Sequence, residues 1–258
     1  MQHGWPALYT LVLWWFSTGV ILYLNGLPRS THPWTMAAAT VLLGIALIGV
    51  SVTAADTRVT GAYLAFTAAL TVWAWQEIGF LLGYVTGPRR HACPPGATGW
   101  RRVGHAVMAI LYHELALVVL GLAVLALTWG QPNQVATWTF GVLWLMRLSA
   151  KLNVFLGVRN LNEQFLPEHL RYMHSYFRQR SGNRLFPISV IAVTGLTAAA
   201  WHGAVAVRVD AFDVTACSFV AMLLSLALLE HGFMMLPLPS ERLWDWGMRS
   251  RARPRPSE

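Results

Sequence analysis

Seven stretches of mostly apolar residues, each ended by turn chemistry, leave this chain one class of fold. A helix needs about 20 apolar residues to cross the hydrocarbon core of a bilayer. The stretches run Trp5 to Leu24, Trp34 to Ser51, Val59 to Tyr84, Val103 to Trp129, Val135 to Phe155, Phe186 to Val207 and Val214 to Leu236. Between them stand Asn25-Gly26-Leu27-Pro28, Gly87-Pro88, Pro94-Pro95-Gly96 and Gly130-Gln131-Pro132-Asn133, where glycine and proline break helices. The link from Val52 to Arg58 is short, so the second and third helices should be antiparallel neighbours. A six-helix reading would draw the polar gap at 131–134 into one long span and is set aside. Only 12% of the residues are charged, and mean hydropathy is +0.47. Soluble domains carry roughly 25% charged residues, so this chain cannot cover a soluble core. A water-soluble enzyme and a disordered regulator are both excluded. The expected fold is an all-α integral membrane protein, seven transmembrane helices plus one cytoplasmic amphipathic helix. Residues 1–240 form a single polytopic domain with an insert at about 156–185, and residues 241–258 a basic tail.

Charge placement orients the bundle. Of the 19 Lys and Arg, all but Arg58 and Arg208 follow the first, third, fifth and seventh stretches or lie at their ends. Cationic loops stay cytoplasmic, which puts the N-terminus outside and the C-terminus inside. The same placement argues against nucleic acid as the partner, since no continuous basic helix or recognition motif accompanies the net charge of +8. The first cation, Arg29, follows the first apolar stretch, so the charged start of a cleavable signal peptide is missing. Cys93 and Cys217 match no metal or disulfide spacing.

Trp5, Trp34, Trp100, Trp129, Trp201, Trp244 and Trp246 lie near span ends, where indoles anchor at headgroup level. Trp14, Trp15, Trp73, Trp75 and Trp144 lie deeper, for helix packing or for stacking on a flat pigment. Gly195, Ala199 and Gly203, and likewise Gly79 and Gly83, recur every four residues and would permit close helix approach. In the insert, Pro167 should open an amphipathic helix from Glu168 to Arg178. Leu166, Leu170, Met173 and Phe177 would line its apolar face, flat on the membrane interface. The tail from Arg249 to Glu258 lacks an apolar pattern and is expected to be disordered against anionic headgroups.

Ionisable groups inside spans are costly and mark function by default. Glu77, His113, Glu114, Arg147, Lys151, Glu230 and His231 all fall in the cytoplasmic half of their helices. Asn153, Asn160, Asn162, Glu163, His169 and His174 follow at the adjacent boundary. Three readings fit. In the first, Glu77, Glu114 and Glu230 are neutralised by Arg147, Lys151 and Arg159, with Arg147 and Lys151 four apart on one face to clamp two carboxylates. In the second, Glu77, His113, Glu114, Glu230 and His231 bind a divalent metal such as iron, manganese or zinc. The adjacent pairs His113-Glu114 and Glu230-His231 are about 100° apart on a helix, unlike the stacked Glu-x-x-His of bundle di-metal sites. In the third, His105, His113 or His231 contacts a tetrapyrrole. No nucleophile elbow, P-loop, dinucleotide fingerprint or H-E-x-x-H is present.

The block from Ala150 to Arg178 (AKLNVFLGVRNLNEQFLPEHLRYMHSYFR), followed by Leu185-Phe186-Pro187, resembles the PuhE-type photosynthetic complex assembly proteins of purple phototrophic bacteria, encoded near the reaction-centre H subunit gene. The likeness extends over nearly the whole chain in length and span count. It implies a multi-pass protein of the bacterial inner (intracytoplasmic) membrane that helps build the reaction centre and its light-harvesting partner, or adjusts bacteriochlorophyll supply. Reaction-centre or light-harvesting subunits, or pigment-synthesis enzymes, are the implied partners beside the lipid bilayer, and bacteriochlorophyll or a precursor the implied ligand. The family transfers no catalytic residue, so a non-catalytic factor is favoured. The rival is a membrane metalloenzyme acting on a tetrapyrrole or other amphiphile at the Glu/His layer. An ion-coupled transporter is disfavoured by the lack of an internal repeat and of paired broken helices. Tyr172, Met173, Tyr176 and Phe177 of the insert are the candidate partner contacts.

Overall fold

The structure, a computed structural model, describes residues 2–161, 163–206, 210–236 and 238–252. Asn162, Arg208 and the end of the basic tail (253–258), on which parts of the reading above rest, lie outside the described residues. Seven helices are long and apolar enough to cross a membrane. They are α1 (Gly4–Asn25), α2 (His32–Thr53), α3 (Val59–Leu81), α4 (Gly99–Thr128), α5 (Val135–Leu156), α6 (Leu185–Ala206) and α7 (Ala211–Phe233). The described residues hold no β-strand, only an isolated bridge between Val158 and Gln179. The protein is therefore an all-α, multi-pass membrane protein.

Local chemistry sets several helix starts. Asn133 Oδ1 accepts from Val135 N at 3.1 Å before α5, Asn183 Oδ1 from Leu185 N and Phe186 N before α6, and Asp210 Oδ1 from Phe212 N before α7. Each satisfies amide donors that the first helical turn leaves open.

The bundle is built around α3 and α7. In its most apolar window α7 is 56% buried, against 17% for α1, α2 and α6, which leaves those three at the rim. Alanines let α3 sit deep: Ala62, Ala65 and Ala69 are fully enclosed, with Phe66 stacked on Phe219 of α7 at 4.3 Å. Val41, Ile45 and Ile48 of α2 and Ile188 and Ile191 of α6 face outward. Outward aliphatic rows suit lipid, where the helix has already paired its backbone groups. As the short link requires, α2 and α3 form an antiparallel hairpin, and α6 pairs with α7 in the same way.

Three regions depart from the sequence-based expectation. On α6, Gly195 and Gly203 meet nothing within 4 Å of where a Cβ would stand. Their small-residue stripe faces outward, because Ser189, Val193 and Ala204 occupy the buried face of α6 instead. Gly79 is closely approached, by Val85 and Met36.

The insert forms a 3-10 helix, Glu168–Tyr176, rather than an α-helix. A 3-10 helix has three residues per turn, so its inner face is Leu170, Met173 and Tyr176, and Phe177 drops off the end. The face points into the protein instead of lying flat on the interface.

The described part of the tail, up to Ala252, is packed on α1. The Trp246 ring fills the space where Gly19 would carry a Cβ. Trp15 Nε1 donates to Leu243 O at 2.7 Å, Trp244 Nε1 to Trp15 O at 2.9 Å, and Ser250 Oγ to Tyr23 O at 2.8 Å. Indoles that looked like interface anchors are what hold the tail down.

Candidate functional site

The ionisable layer is organised by α5. Arg147 and Lys151, one helical turn apart, reach two different neighbours. Arg147 Nη2 donates to Glu77 Oε2 of α3 at 3.2 Å, and Lys151 Nζ to Glu114 Oε1 of α4 at 2.6 Å. Glu230 of α7 lies within electrostatic reach of the same guanidinium and accepts from Trp14 Nε1 of α1 at 3.2 Å. Gln76 adds a longer contact of 3.4 Å to Glu77. The groups that shared only a depth in the sequence thus meet laterally, and five helices contribute. The Glu77 side chain is 11% accessible but that of Arg147 is 44%, so the layer opens to one side at the guanidinium.

The candidate imidazoles separate. His231 is fully enclosed and both nitrogens are engaged, Nε2 with Ser149 Oγ at 2.9 Å and Nδ1 with Ala227 O at 2.8 Å. His113 is equally enclosed, its ring 4.6 Å from that of Phe80, yet its Nδ1 has no hydrogen-bond partner. His105 lies half-buried toward the start of α4. The metal candidates Glu77, His113, Glu114, Glu230 and His231 share a layer but not a point. Among the described residues no three His, Cys, Asp or Glu side chains stand close enough to hold an ion. Cys93 and Cys217 are free thiols. Arg159 is exposed and ion-pairs with no described residue, so its place in the network is corrected: it lies past the end of α5, where the chain has turned away.

The deep tryptophans have protein partners. Besides the Trp14 contact, Trp73 meets Phe140 edge-on at 5.5 Å, Trp75 Nε1 donates to Thr40 Oγ1 at 3.0 Å, and Trp144 packs against the core.

Below the layer, the insert is stitched to the α3–α4 connection. Tyr176 donates to His91 O at 2.9 Å and accepts from Arg89 Nε at 2.8 Å, while Cys93 N donates to Ser175 Oγ at 2.7 Å. Met173 and Tyr176 are buried, and Tyr172 and Phe177 are half-buried. The four are therefore no open contact surface. Sequence reasoning missed Arg102, counted only as a topogenic charge. Its buried guanidinium donates to Phe155 O at 3.2 Å and to Tyr176 O, and its carbon lies 4.0 Å over the Phe155 ring. Asn153 and Asn183 were likewise undervalued. Asn183 Nδ2 donates to Gly157 O at 2.8 Å, and Asn153 Nδ2 to Ser189 Oγ of α6 at 3.0 Å. A guanidinium at the start of an apolar stretch and an asparagine inside one were the available signals.

The comparisons with known proteins cover this whole architecture. Residues 1–255 match the family described as "Protein of unknown function (DUF3623)". The chain belongs to the DUF3623 family. A relative from Rhodobacter capsulatus, the "Uncharacterized 30.4 kDa protein in puhA 5'region", is 39% identical over 257 residues, covering 97% of this chain and 93% of the relative. No solved structure matches. The match spans both the charged layer and the insert, so the DUF3623 likeness takes in every group described above.

Proposed function

We propose that this DUF3623 protein is a non-catalytic membrane factor, of the PuhE type, that assists assembly of the photosynthetic reaction-centre and light-harvesting complexes or supplies them with bacteriochlorophyll. The observation that carries the reading is the full-length likeness to a protein encoded in the puhA 5' region, together with the Lys151 to Arg178 block. The geometry supports a binding rather than a reacting site. The carboxylates of the layer are met by a cation or an indole, which stabilises five helices against one another. A contact to a pigment carbonyl or carboxyl group would fall on His113, whose Nδ1 is unpaired, rather than on His231. By the rule that cationic connections stay cytoplasmic, the N-terminus would lie on the periplasmic side of the inner membrane. Reporter fusions at Gly96 should then read cytoplasmic and those after Pro132 periplasmic.

Deleting the gene in a phototroph should lower assembled reaction centre or bacteriochlorophyll while respiratory growth continues. A supply or assembly factor leaves normal pigments in smaller amount. Accumulation of one defined pigment precursor would overturn the non-catalytic reading, and unchanged pigment and complex content would overturn the assembly role. His113→Gln should keep the protein in the membrane and reduce complex yield.

A further inference from the structure

At the basic end of the bundle three connections close on a cavity of about 300 Å3. Arg29 and His32 come from the α1–α2 turn, Gly83, Tyr84 and Arg90 from the segment after α3, and His169 from the insert. Among the described residues no carboxylate lines it. The described ion pairs involve neither Arg29 nor Arg90. The cavity lies where α2 begins and α3 has just ended, hence at headgroup depth rather than among the acyl chains.

From this geometry we infer a phosphate-binding site, formed by Arg29, Arg90, His32 and His169, for the headgroup of an anionic membrane lipid or a free phosphate. Bringing cations together from distant parts of the chain costs repulsion, which a bound anion offsets. Arginine forks fit phosphate oxygens in pairs. His32 is already tied to Leu27 O at 3.2 Å, which fixes its ring against the cavity wall. The His169 ring reaches the wall because residue 83 is glycine with φ +84, and a Cβ there would stand 3.1 Å from the ring. Its Nε2 has no hydrogen-bond partner among the described residues. Burial, aided by the charges of Arg29, His32 and Arg251 against a backbone hydrogen bond at Leu81, holds His169 below the usual imidazole range. Arg101 and Arg159 do not line this cavity. The site lies outside the intramembrane layer and does not depend on the assembly reading.

Purified full-length protein in mild detergent, stripped of lipid, can be titrated with dioctanoyl phosphatidylglycerol, dioctanoyl phosphatidylcholine and inorganic phosphate, following Tm. Phosphatidylglycerol should raise Tm saturably, and phosphatidylcholine less. The double variant Arg29→Gln/Arg90→Gln should bind about tenfold more weakly, as expected for losing charge-assisted contacts. His169→Gln should show a smaller loss. The charge-matched control Arg101→Gln/Arg159→Gln should bind like the wild type. A response to phosphatidylglycerol alone assigns the site to lipid, and an equal response to inorganic phosphate assigns the same site to the free ion. Wild-type binding by the Arg29/Arg90 variant, an equal loss in the control, or no saturable response to either anion would overturn the site.

Discussion

The two ends of the bundle solve the same problem differently. At the end where α2 turns into α3 and α4 into α5, one buried amide does most of the joining. Asn133 Nδ2 donates to Thr53 O at 3.0 Å and Asp56 O at 2.9 Å, Asn133 N to Ala54 O at 2.9 Å, and Oδ1 opens α5. The charges there pair locally: the half-buried Asp56 meets the exposed Arg58 at 2.8 Å. At the basic end the charges are drawn inward, and the α3–α4 connection, the insert and the tail are tied by many contacts from Arg89, Arg102, Asn153, Asn183 and Arg251. Two short turns leave few backbone groups open, and one asparagine meets those of both. A long segment folded back on the membrane face must find long-range partners for its polar groups.

The largest expected effect tests the inward charges. Glu114→Gln leaves the Lys151 ammonium without its counter-ion at membrane depth and should cost about 3 kcal/mol, the range for breaking an enclosed pair. Adding Lys151→Met should restore much of the membrane abundance and Tm, whereas adding Arg147→Met should not. Rescue by the Arg147 change instead would contradict the pairing.

A smaller loss is expected when the insert is cut free. Arg102→Met removes charge-assisted hydrogen bonds to Phe155 O and Tyr176 O and should cost about 2 kcal/mol, within the range for a hydrogen bond to a charged group. Limited proteolysis should then cleave near 160–180 faster, with the helix content from circular dichroism unchanged. Asn133→Ala should cost about 1–3 kcal/mol, by leaving enclosed carbonyls unmet. If Asn133→Ala lowers Tm more than Arg102→Met, the opposite end is the stronger tie and the contrast inverts.

The smallest effect belongs to the Asp56–Arg58 pair. Hydrogen bonds from Arg58 hold the Asp56 carboxyl at about 2, below its ordinary 3.8. A depressed folded-state value gives stability that is present above about 4 and lost as pH falls toward 2. Arg58 is exposed and a pair at the protein surface is worth little, so Asp56→Asn should change Tm only slightly at pH 7. A clear drop at pH 7 would mean that the opposite end, too, relies on its charges.

The expected spans agree with α1–α7 to within a few residues at most ends, because in lipid every backbone polar group must be paired within its own helix. The depth of Glu77, Glu114, Arg147, Lys151 and Glu230 was legible for the same reason, since position along a span is depth. Their partners were not. A period of 3.6 places Arg147 and Lys151 on one face but does not say which helix that face meets, and Glu114 proved to belong to Lys151. The insert was misread because its pattern of apolar residues fits periods of both 3.6 and 3.0, and only the contacts of Tyr176 with Arg89 and His91 select the second.

The tail shows the limit in another form. Its arginines read as headgroup contacts, yet Trp246 is seated on α1 in a notch that Gly19 leaves open, and Trp244 packs edge-on against Trp14. Length, apolarity and charge placement are properties of the chain taken in order, so they establish a seven-helix membrane protein and the depth of its ionisable groups. Which carboxylate meets which cation, whether the insert lies flat or folds inward, and where Arg29, Arg90 and His169 converge are properties of lateral neighbours. Residues far apart in order become neighbours only once helices pack, and side-chain shape at those contacts selects among pairings that the linear pattern leaves equal.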